Sequence, residues 1–308
     1  MVNRREFIKK STLACSAAML GTLLPDDYHI IDIHQHTDYA GRSHENLIRH
    51  QRTMGVSQTI LLPAGTPSFG SSTHQGKSNG LQVNASGNDV CMKLAMDHPG
   101  EIYFGANEVP DIEDADKEIE KYLKKGAKVI GELKFGVRAD SGDMFRIYRL
   151  AQEYDVPVLL HWQYQMYTYG YEDFYKILEK FPKVNFIGHA QSWWANIDKQ
   201  HTDQSVLYPK GKVTAGGITD RLLSDYPNMY ADMSAGSGLN ALTRDEEHAK
   251  GFLKRHQDKL LYGSDCNDSE GKGQACSGIQ TIDKIKELSD PAIVRKVFFE
   301  NSKKLFKI

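Results

Sequence analysis

The stretch Ile30-Ile31-Asp32-Ile33-His34-Gln35-His36 decides the expected fold. A short and mostly apolar run of this kind is typical of a strand that is buried on both faces. Residues i and i+2 of a strand point the same way, so His34 and His36 project together from the end of this strand. The spacing allows both imidazoles to reach one metal ion, although a single His-x-His pair also arises by accident.

The rest of the chain repeats one unit: a short apolar run, a loop, an amphipathic helix and a tight turn. This alternation predicts an α/β fold in which helices cover a parallel sheet. The predicted strands are 30–36, 58–62, 102–106, 129–135, 157–161, 184–189, 229–232 and 259–265. The predicted helices lie near 43–54, 88–97, 114–124, 142–154, 172–180, 219–224, 244–256, 280–288 and 292–299. Eight such units predict a (β/α)8 TIM-like barrel in a single domain, residues 27–308.

The loops of the predicted barrel are unequal in length. Turns that lead into strands are short, whereas those that leave strands include the long segments 65–87, 190–217 and 267–278. Loops that leave the strands form the carboxyl-terminal face of a barrel, where active sites lie. We therefore expect the functional site on that face.

The N-terminus has the pattern of an export signal. Arg4-Arg5-Glu6-Phe7-Ile8-Lys9 is a twin-arginine pattern, and the weakly hydrophobic segment 11–24 behind it is too short to span a bilayer comfortably. We predict a signal at 1–26, recognition by the twin-arginine export machinery, a periplasmic or envelope location, and no membrane attachment after signal removal. The alternative is a basic helix without a targeting role.

Composition limits the classes of partner. The chain has 308 residues, of which 40% are hydrophobic and 25% charged, as in ordinary soluble globular proteins. The net charge of -2 argues against nucleic-acid binding and leaves a small-molecule substrate as the expected partner.

Cys266 and Cys276 bracket a glycine-rich loop, and both a disulfide and free thiols remain open. A homodimer and a monomer also both remain open.

Further metal-binding side chains stand where other predicted strands end. His161 ends the fifth strand, His189 the sixth and Asp265 the eighth. A buried polar group at the end of an apolar strand is costly unless it is paired or bound to a metal. Histidines with one carboxylate are good ligands for Zn²⁺ or a similar divalent ion and leave a position for water. We expect the remaining histidines on the surface: His29, His44, His50, His74, His98, His201, His248 and His256.

This set of residues resembles the amidohydrolase superfamily, which has His-x-His on strand one, His on strands five and six, and Asp on strand eight. Within it, the chain is most similar to the amidohydrolase-related group that includes aminocarboxymuconate-semialdehyde decarboxylase and lactonases acting on pyrone dicarboxylates. The ending 300–306 resembles that group's closing Asn-Ala-x-x-Leu-Phe. The resemblance implies one or two divalent ions per chain. It also implies that Asp265 is both ligand and general base, and that His189 polarises the scissile group.

The fourth strand is where members of the superfamily differ. Glu132 and Lys134 lie on the same side of this strand. By resemblance, binuclear members use a carboxylated Lys or a Glu here to bridge two metals, so Glu132 is either a metal ligand or an ion-pair partner of Lys134. Lys134 and Arg138 are candidates to anchor a substrate carboxylate or phosphate. After strand six, Trp193 and Trp194 are expected to line the pocket.

These residues favour a metal-dependent hydrolase in which activated water attacks a C–O or C–N bond of a lactone, amide or ester. The alternative is a metal-dependent, non-oxidative decarboxylase of a small carboxylic acid. A nuclease is disfavoured because the chain has no basic surface signal. A catalytically inactive barrel that carries a metal or ligand would usually have lost a metal-binding residue, and none is missing here.

Overall fold

The structure is a computed structural model that describes residues 28–65 and 85–308. The predicted signal at 1–26 and most of the predicted loop 65–87 lie outside these residues. Within the described part of the chain, no helix combines the length and the apolar character that crossing a bilayer requires.

Parallel strands form two sheets, which confirms the predicted α/β class. The sheet orders are β1-β2-β3 and β4-β5-β6-β7-β8, and each predicted strand has a counterpart. The strands are β1 Ile31–Gln35, β2 Gln58–Leu61, β3 Ile102–Phe104, β4 Ile130–Leu133, β5 Val158–His161, β6 Phe186–His189, β7 Met229–Asp232 and β8 Leu260–Leu261.

Backbone contacts also connect the two sheets. Ala106, just after β3, forms a parallel bridge with Ile130 of β4. On the other side, the backbone N–H of Ile33 in β1 donates to the carbonyl of Tyr262, which follows β8, at 3.1 Å. Successive strands, and the first and last strands, are therefore neighbours in space, so the ends of distant strands lie close together.

An inner apolar cluster explains why the strand sequences are almost continuously hydrophobic. Strands that are buried on both faces have no solvent side to encode as polar. The C-terminal residues Leu305 and Phe306 pack against this cluster. The residues in it that belong to strands or directly flank them are Ile31, Ile33, Ile60, Leu62, Val129, Leu159, Ile187 and Leu261.

Helices follow the strands. They are α1 His44–Thr53, α2 Asn88–Asp97, α3 Ala115–Leu123, α4 Gly142–Tyr154, α5 Tyr175–Lys180, α6 Gln191–Ala195, α7 Ile218–Asp225, α8 Ala235–Thr243, α9 Glu246–His256, α10 Ser277–Leu288, α11 Pro291–Arg295 and α12 Asn301–Phe306. Short 3-10 helices cover Tyr39–Gly41 and Tyr171–Asp173, and a π-helix covers Lys296–Glu300.

The helices α6, α8 and α12 were not predicted. The sequence of α8, Ala-Gly-Ser-Gly-Leu-Asn-Ala-Leu-Thr, contains two glycines, which lower intrinsic helix propensity. A close local approach accounts for one of them, because a Cβ at Gly238 would lie 2.1 Å from the carbonyl oxygen of Met233, just before the helix. The predicted strand 259–265 is also shorter in the structure, where β8 ends at Leu261.

A buried ion-pair group fixes α7 against α9. Asp220, in the first turn of α7, accepts hydrogen bonds from His256 Nε2 at 2.6 Å, Arg255 Nη2 at 3.1 Å and the backbone N–H of Gly216 at 2.8 Å. Burial raises the pKa of Asp220, but these three donors outweigh it and lower the pKa to about 2. His256 is 4% exposed and His50 is fully buried, so the prediction that both lie on the surface is wrong.

We expect Asp220→Asn to lower the free energy of unfolding at pH 7 by roughly 1–3 kcal/mol, because it removes one partner of buried hydrogen bonds. A depressed carboxylate pKa stabilises the fold above the unfolded value of about 3.9, and this contribution is lost as pH falls towards about 2. Urea unfolding should therefore show that Asp220→Asn is less stable than the wild type at pH 7, and that this difference in the free energy of unfolding shrinks towards pH 3. Asp225→Asn, on the exposed end of the same helix, is the control. Equal stability of the two variants at pH 7 would contradict this expectation.

Candidate metal centre

Six side chains from five strand ends converge on one buried cluster. Because the strands are parallel and adjacent, their carboxyl-terminal ends meet at one edge. His161 and His189, for example, are register partners across β5 and β6. The six are His34, His36, Glu132, His161, His189 and Asp265, and all but Asp265 are at most 3% exposed.

Glu132 presents one carboxylate oxygen to the first pair of histidines. The Nε2 atoms of His34 and His36 lie 3.2 Å apart. Oε2 of Glu132 lies 3.5 Å from Nε2 of His34 and 3.4 Å from Nε2 of His36. These three atoms form one corner of the cluster.

The other oxygen of Glu132 faces the second pair of histidines. Oε1 lies 2.5 Å from Nδ1 of His161 and 3.6 Å from Nε2 of His189. One carboxylate thus stands between two separate histidine pairs, which is the arrangement expected of a group that bridges two cations.

Asp265 closes the cluster from the loop after β8. Its Oδ1 lies 3.8 Å from Nε2 of His34 and 3.6 Å from Nε2 of His36, and its Oδ2 lies 3.8 Å from Nε2 of His189. The backbone N–H of Asp265 donates to the carbonyl of His34 at 2.8 Å, which holds the loop against β1. Tyr39 lies beside the Asp265 carboxylate, whose negative charge raises the pKa of the phenol.

Unpartnered acceptor atoms show that the cluster fits a cation. Oε2 of Glu132 and Oδ1 of Asp265 are buried without a hydrogen-bond partner among the described residues. Nδ1 of His34 lies 2.6 Å from Oδ2 of Asp232, and Nδ1 of His36 lies 2.8 Å from the carbonyl of Leu62. In the tautomer that carries the proton on Nδ1, the Nε2 lone pair of each of these histidines faces the two orphaned oxygens. Four converging acceptors repel one another unless a positive charge lies between them.

The electrostatics of the cluster are those of paired buried charges. Burial raises the pKa of Glu132, but Lys134, His34 and His161 together hold it well below its usual value. Burial and the charge of Lys134 lower the pKa of His161 to about 4, against the opposing effect of Glu132. Glu132 is therefore a carboxylate and His161 a neutral imidazole at pH 7, which are the forms that bind metals.

Asp232 at the end of β7 is a candidate functional residue that the sequence reasoning missed. Its Oδ2 accepts from Nδ1 of His34 and lies 3.1 Å from Nδ1 of His189, and the hydroxyl of Ser234 donates to it at 2.8 Å. It thereby orients both imidazoles so that their Nε2 atoms face the cluster. The sequence did contain a feature that pointed to Asp232, because this carboxylate ends the predicted seventh strand just as histidines end the fifth and sixth.

Asp32 joins β1 to the loop that carries Asp265. It is fully buried, and its Oδ1 accepts the backbone N–H groups of His34 at 3.0 Å and Ser264 at 2.9 Å. Its Oδ2 accepts the Ser264 hydroxyl at 2.5 Å. Burial raises the pKa of Asp32 to about 6, although the hydrogen bonds oppose this shift.

The predicted substrate-binding residues have different positions. Lys134 is half-buried beside the cluster, with Nζ 5.5 Å from the centre of the Tyr167 ring. Arg138 is exposed, and its guanidinium is paired at 2.8 Å with Asp140, which is not a member of the cluster. The structure therefore brings Lys134, but not Arg138, together with the metal-binding side chains.

The two tryptophans predicted to line the pocket lie in the core. Trp193 is fully buried against Gly188, where a Cβ would lie 2.4 Å from the indole ring. Trp194 is 2% exposed and donates from Nε1 to the carbonyl of Asp232 at 3.0 Å. Both belong to the short helix α6, whose packing against the sheet places them in the core.

Replacing Asp232 by Asn should weaken divalent metal binding about 10–100-fold, because groups that orient metal-binding histidines have effects of this size. Competition against a chelator with Mn²⁺ would measure the affinity. Asp225→Asn, an exposed carboxylate on the preceding helix, is the matched control. An unchanged affinity in Asp232→Asn would show that the Asp232 carboxylate does not hold the two imidazoles in place.

Comparison with known proteins agrees with the resemblance stated above. The family model described as Amidohydrolase matches residues 31–308. No curated protein matches the chain. A probable 2-pyrone-4,6-dicarboxylic acid hydrolase from Acinetobacter baumannii, with citric acid bound, is similar with 13% identity and a TM-score of 0.54, over 91% of this chain and 100% of that one.

Two decarboxylases have similar structures. A 5-carboxyvanillate decarboxylase from Novosphingobium aromaticivorans with bound manganese has 14% identity and a TM-score of 0.56, over 92% of this chain and 98% of that one. A 2,6-dihydroxybenzoate decarboxylase from Rhizobium has 11% identity and a TM-score of 0.55, over 91% of this chain and 99% of that one. At these identities the likeness concerns the fold, while the family model matches nearly the whole described chain. The chain therefore belongs to the amidohydrolase family.

Proposed function

We propose that this protein is a metal-dependent hydrolase with a (β/α)8 barrel that holds two divalent cations at its carboxyl-terminal face. The observation that carries the proposal is the position of Glu132, whose two oxygens face two different histidine pairs. His34, His36 and Asp265 would hold one cation, and His161 and His189 the other, with Glu132 between them. Zn²⁺ and Mn²⁺ are the first ions to test, because both accept histidine and carboxylate ligands.

When bound, divalent cations supply Lewis acidity towards a water molecule and towards a carbonyl oxygen. Asp265 is placed to take the proton of the attacking water, since it is the carboxylate of the cluster that solvent reaches, with 12% exposure.

A cavity beside the cluster offers a place for a small substrate. The loop after β5 lines it with Gln163, Tyr164 and Tyr169, and Ser192 and Gln204 complete one side. Gln163 connects the cavity to the cluster, because its Oε1 lies 3.2 Å from Nε2 of His161. These polar groups and the nearby ammonium group of Lys134, which directly follows β4, favour a small lactone, amide or ester that carries an anionic group.

A non-oxidative decarboxylase is the second candidate. It is favoured by the half-buried Lys134, whose ammonium group lies beside the cluster where a substrate carboxylate would bind. Decarboxylation does not require a water nucleophile, whereas hydrolysis does.

Isotope labelling distinguishes the two reactions. The metal-loaded protein would be incubated in H2¹⁸O with a panel of lactones, amides, esters and aromatic carboxylic acids, and products would be analysed by mass spectrometry. The proposal predicts a new acid that contains ¹⁸O and no release of CO2. Release of CO2 without incorporation of ¹⁸O would contradict it and favour the decarboxylase.

We also propose export by the twin-arginine machinery, which the Arg4-Arg5 pair supports. In cell fractionation, wild-type protein should reach the periplasm, and a variant with Arg4→Lys and Arg5→Lys should stay in the cytoplasm. Equal periplasmic amounts of both would contradict the proposal.

A further inference from the structure

A second cluster of metal-binding side chains lies outside the centre described above. It consists of His50 on α1, Cys266 after β8 and Cys276 just before α10. All three are at most 2% exposed, and one ligand atom from each lies within 4.8 Å of the other two. The Sγ atoms of Cys266 and Cys276 are 3.5 Å apart, and Sγ of Cys276 is 3.5 Å from Nε2 of His50.

We propose that this Cys-Cys-His cluster is a structural site for one soft or borderline d¹⁰ cation, Zn²⁺ or Cu⁺. Tetrahedral coordination with Zn–S near 2.3 Å and Zn–N near 2.0 Å places ligand atoms roughly 3.5–3.8 Å apart. The distances between the sulfur and nitrogen atoms of the cluster are close to these values. The proposal is independent of the proposed hydrolase activity, since it involves none of the six residues of the first centre.

The ligand chemistry separates this site from the first one. Thiolates select Zn²⁺ and Cu⁺, whereas the first centre contains only imidazoles and carboxylates. Two neighbours can complete the coordination: Sδ of Met54 lies 3.4 Å from Sγ of Cys276, and Oδ2 of Asp268 lies 3.8 Å from Nε2 of His50. Binding of the cation releases one proton from each thiol to solvent and forms two metal–sulfur bonds, so it needs no oxidant.

The surroundings of the cluster suit bound thiolates. The backbone N–H of Ile279 donates to Sγ of Cys276 at 3.4 Å, which is a contact that stabilises negative charge on sulfur at the start of α10. Arg42 donates to the carbonyl of Cys266 at 3.1 Å and brings a positive charge nearby.

The position of the cluster gives the cation a structural role. Cys266 directly follows Asp265, so a cation bound to Cys266 would fasten the loop that carries the proposed general base. It would connect this loop to α1 through His50 and to α10 through Cys276. We therefore expect metal at this site to stabilise the loop after β8.

Cobalt spectroscopy tests the site on the intact chain. Protein purified anaerobically with reductant and stripped of metal would be titrated with Co²⁺. A thiolate-to-cobalt charge-transfer band should develop, because cobalt in the first centre meets no thiolate. Cys276→Ser should lose most of this band, and Cys91→Ser should keep it, since Cys91 is a buried thiol outside the cluster. Addition of Zn²⁺ or Cu⁺ should abolish the band by displacement.

The wild-type spectrum alone decides the matter if Cys276→Ser fails to fold. Absence of a charge-transfer band at saturating Co²⁺ would overturn the proposal. Thiol counts give a second readout on protein purified without reductant and then denatured with chelator. The proposal predicts equal counts before and after reduction. Two fewer thiols before reduction, with Cys266 and Cys276 found in one disulfide-linked peptide by mass spectrometry, would also overturn it.

Discussion

Replacing Asp265 by Asn is expected to lower kcat about 10²–10⁴-fold, which is the range for loss of a general base. The amide keeps the size of the side chain and its backbone hydrogen bond to His34, so the fold should persist. Most of the metal should also remain, because the histidines and Glu132 are unchanged. Steady-state kinetics with the substrate found by product analysis would measure kcat, and metal analysis would measure the metal that remains bound.

Asp258→Asn is the matched control for this variant. Asp258 is 74% exposed, where it pairs with Lys296 outside the metal cluster. Its replacement should leave kcat unchanged. If Asp265→Asn kept the wild-type kcat, the assignment of Asp265 as the base would be wrong.

Replacing Glu132 by Gln should reduce the metal content by about one equivalent and lower kcat roughly 10³-fold. A neutral amide cannot bridge two cations, and loss of one cation removes several kcal/mol of transition-state stabilisation. Metal analysis of chelator-treated and reloaded protein would give the stoichiometry, and steady-state kinetics would give kcat.

Glu101→Gln provides the comparison, because Glu101 is a partly exposed carboxylate that pairs with Arg52 and is not a member of the cluster. It should keep both metal content and kcat. Full metal content in Glu132→Gln would show that Glu132 is a neighbour of Lys134 rather than a bridge.

The positions of the strand-end histidines could be predicted because the local sequence encodes them strongly. Each stands at the end of a short apolar run, and parallel strands bring such ends together. His34, His161 and His189 are examples, and the structure places their rings in one cluster. Whether they bind metal remains a prediction.

Other features depend on tertiary contacts that the sequence does not display. The direction of each Glu132 oxygen depends on how the Glu132 side chain extends between the two histidine pairs, so the sequence left open whether Glu132 bridges. The core position of Trp193 follows from its packing on Gly188. His50 was expected on the surface and is buried, because its helix packs against the loop after β8.

Anomalous X-ray diffraction from crystals of the metal-loaded protein tests the central claim most directly, because it locates each cation independently of activity. The account predicts two anomalous peaks on either side of Glu132, one by His34 and His36 and the other by His161 and His189. A map with fewer than two peaks beside Glu132 would contradict it.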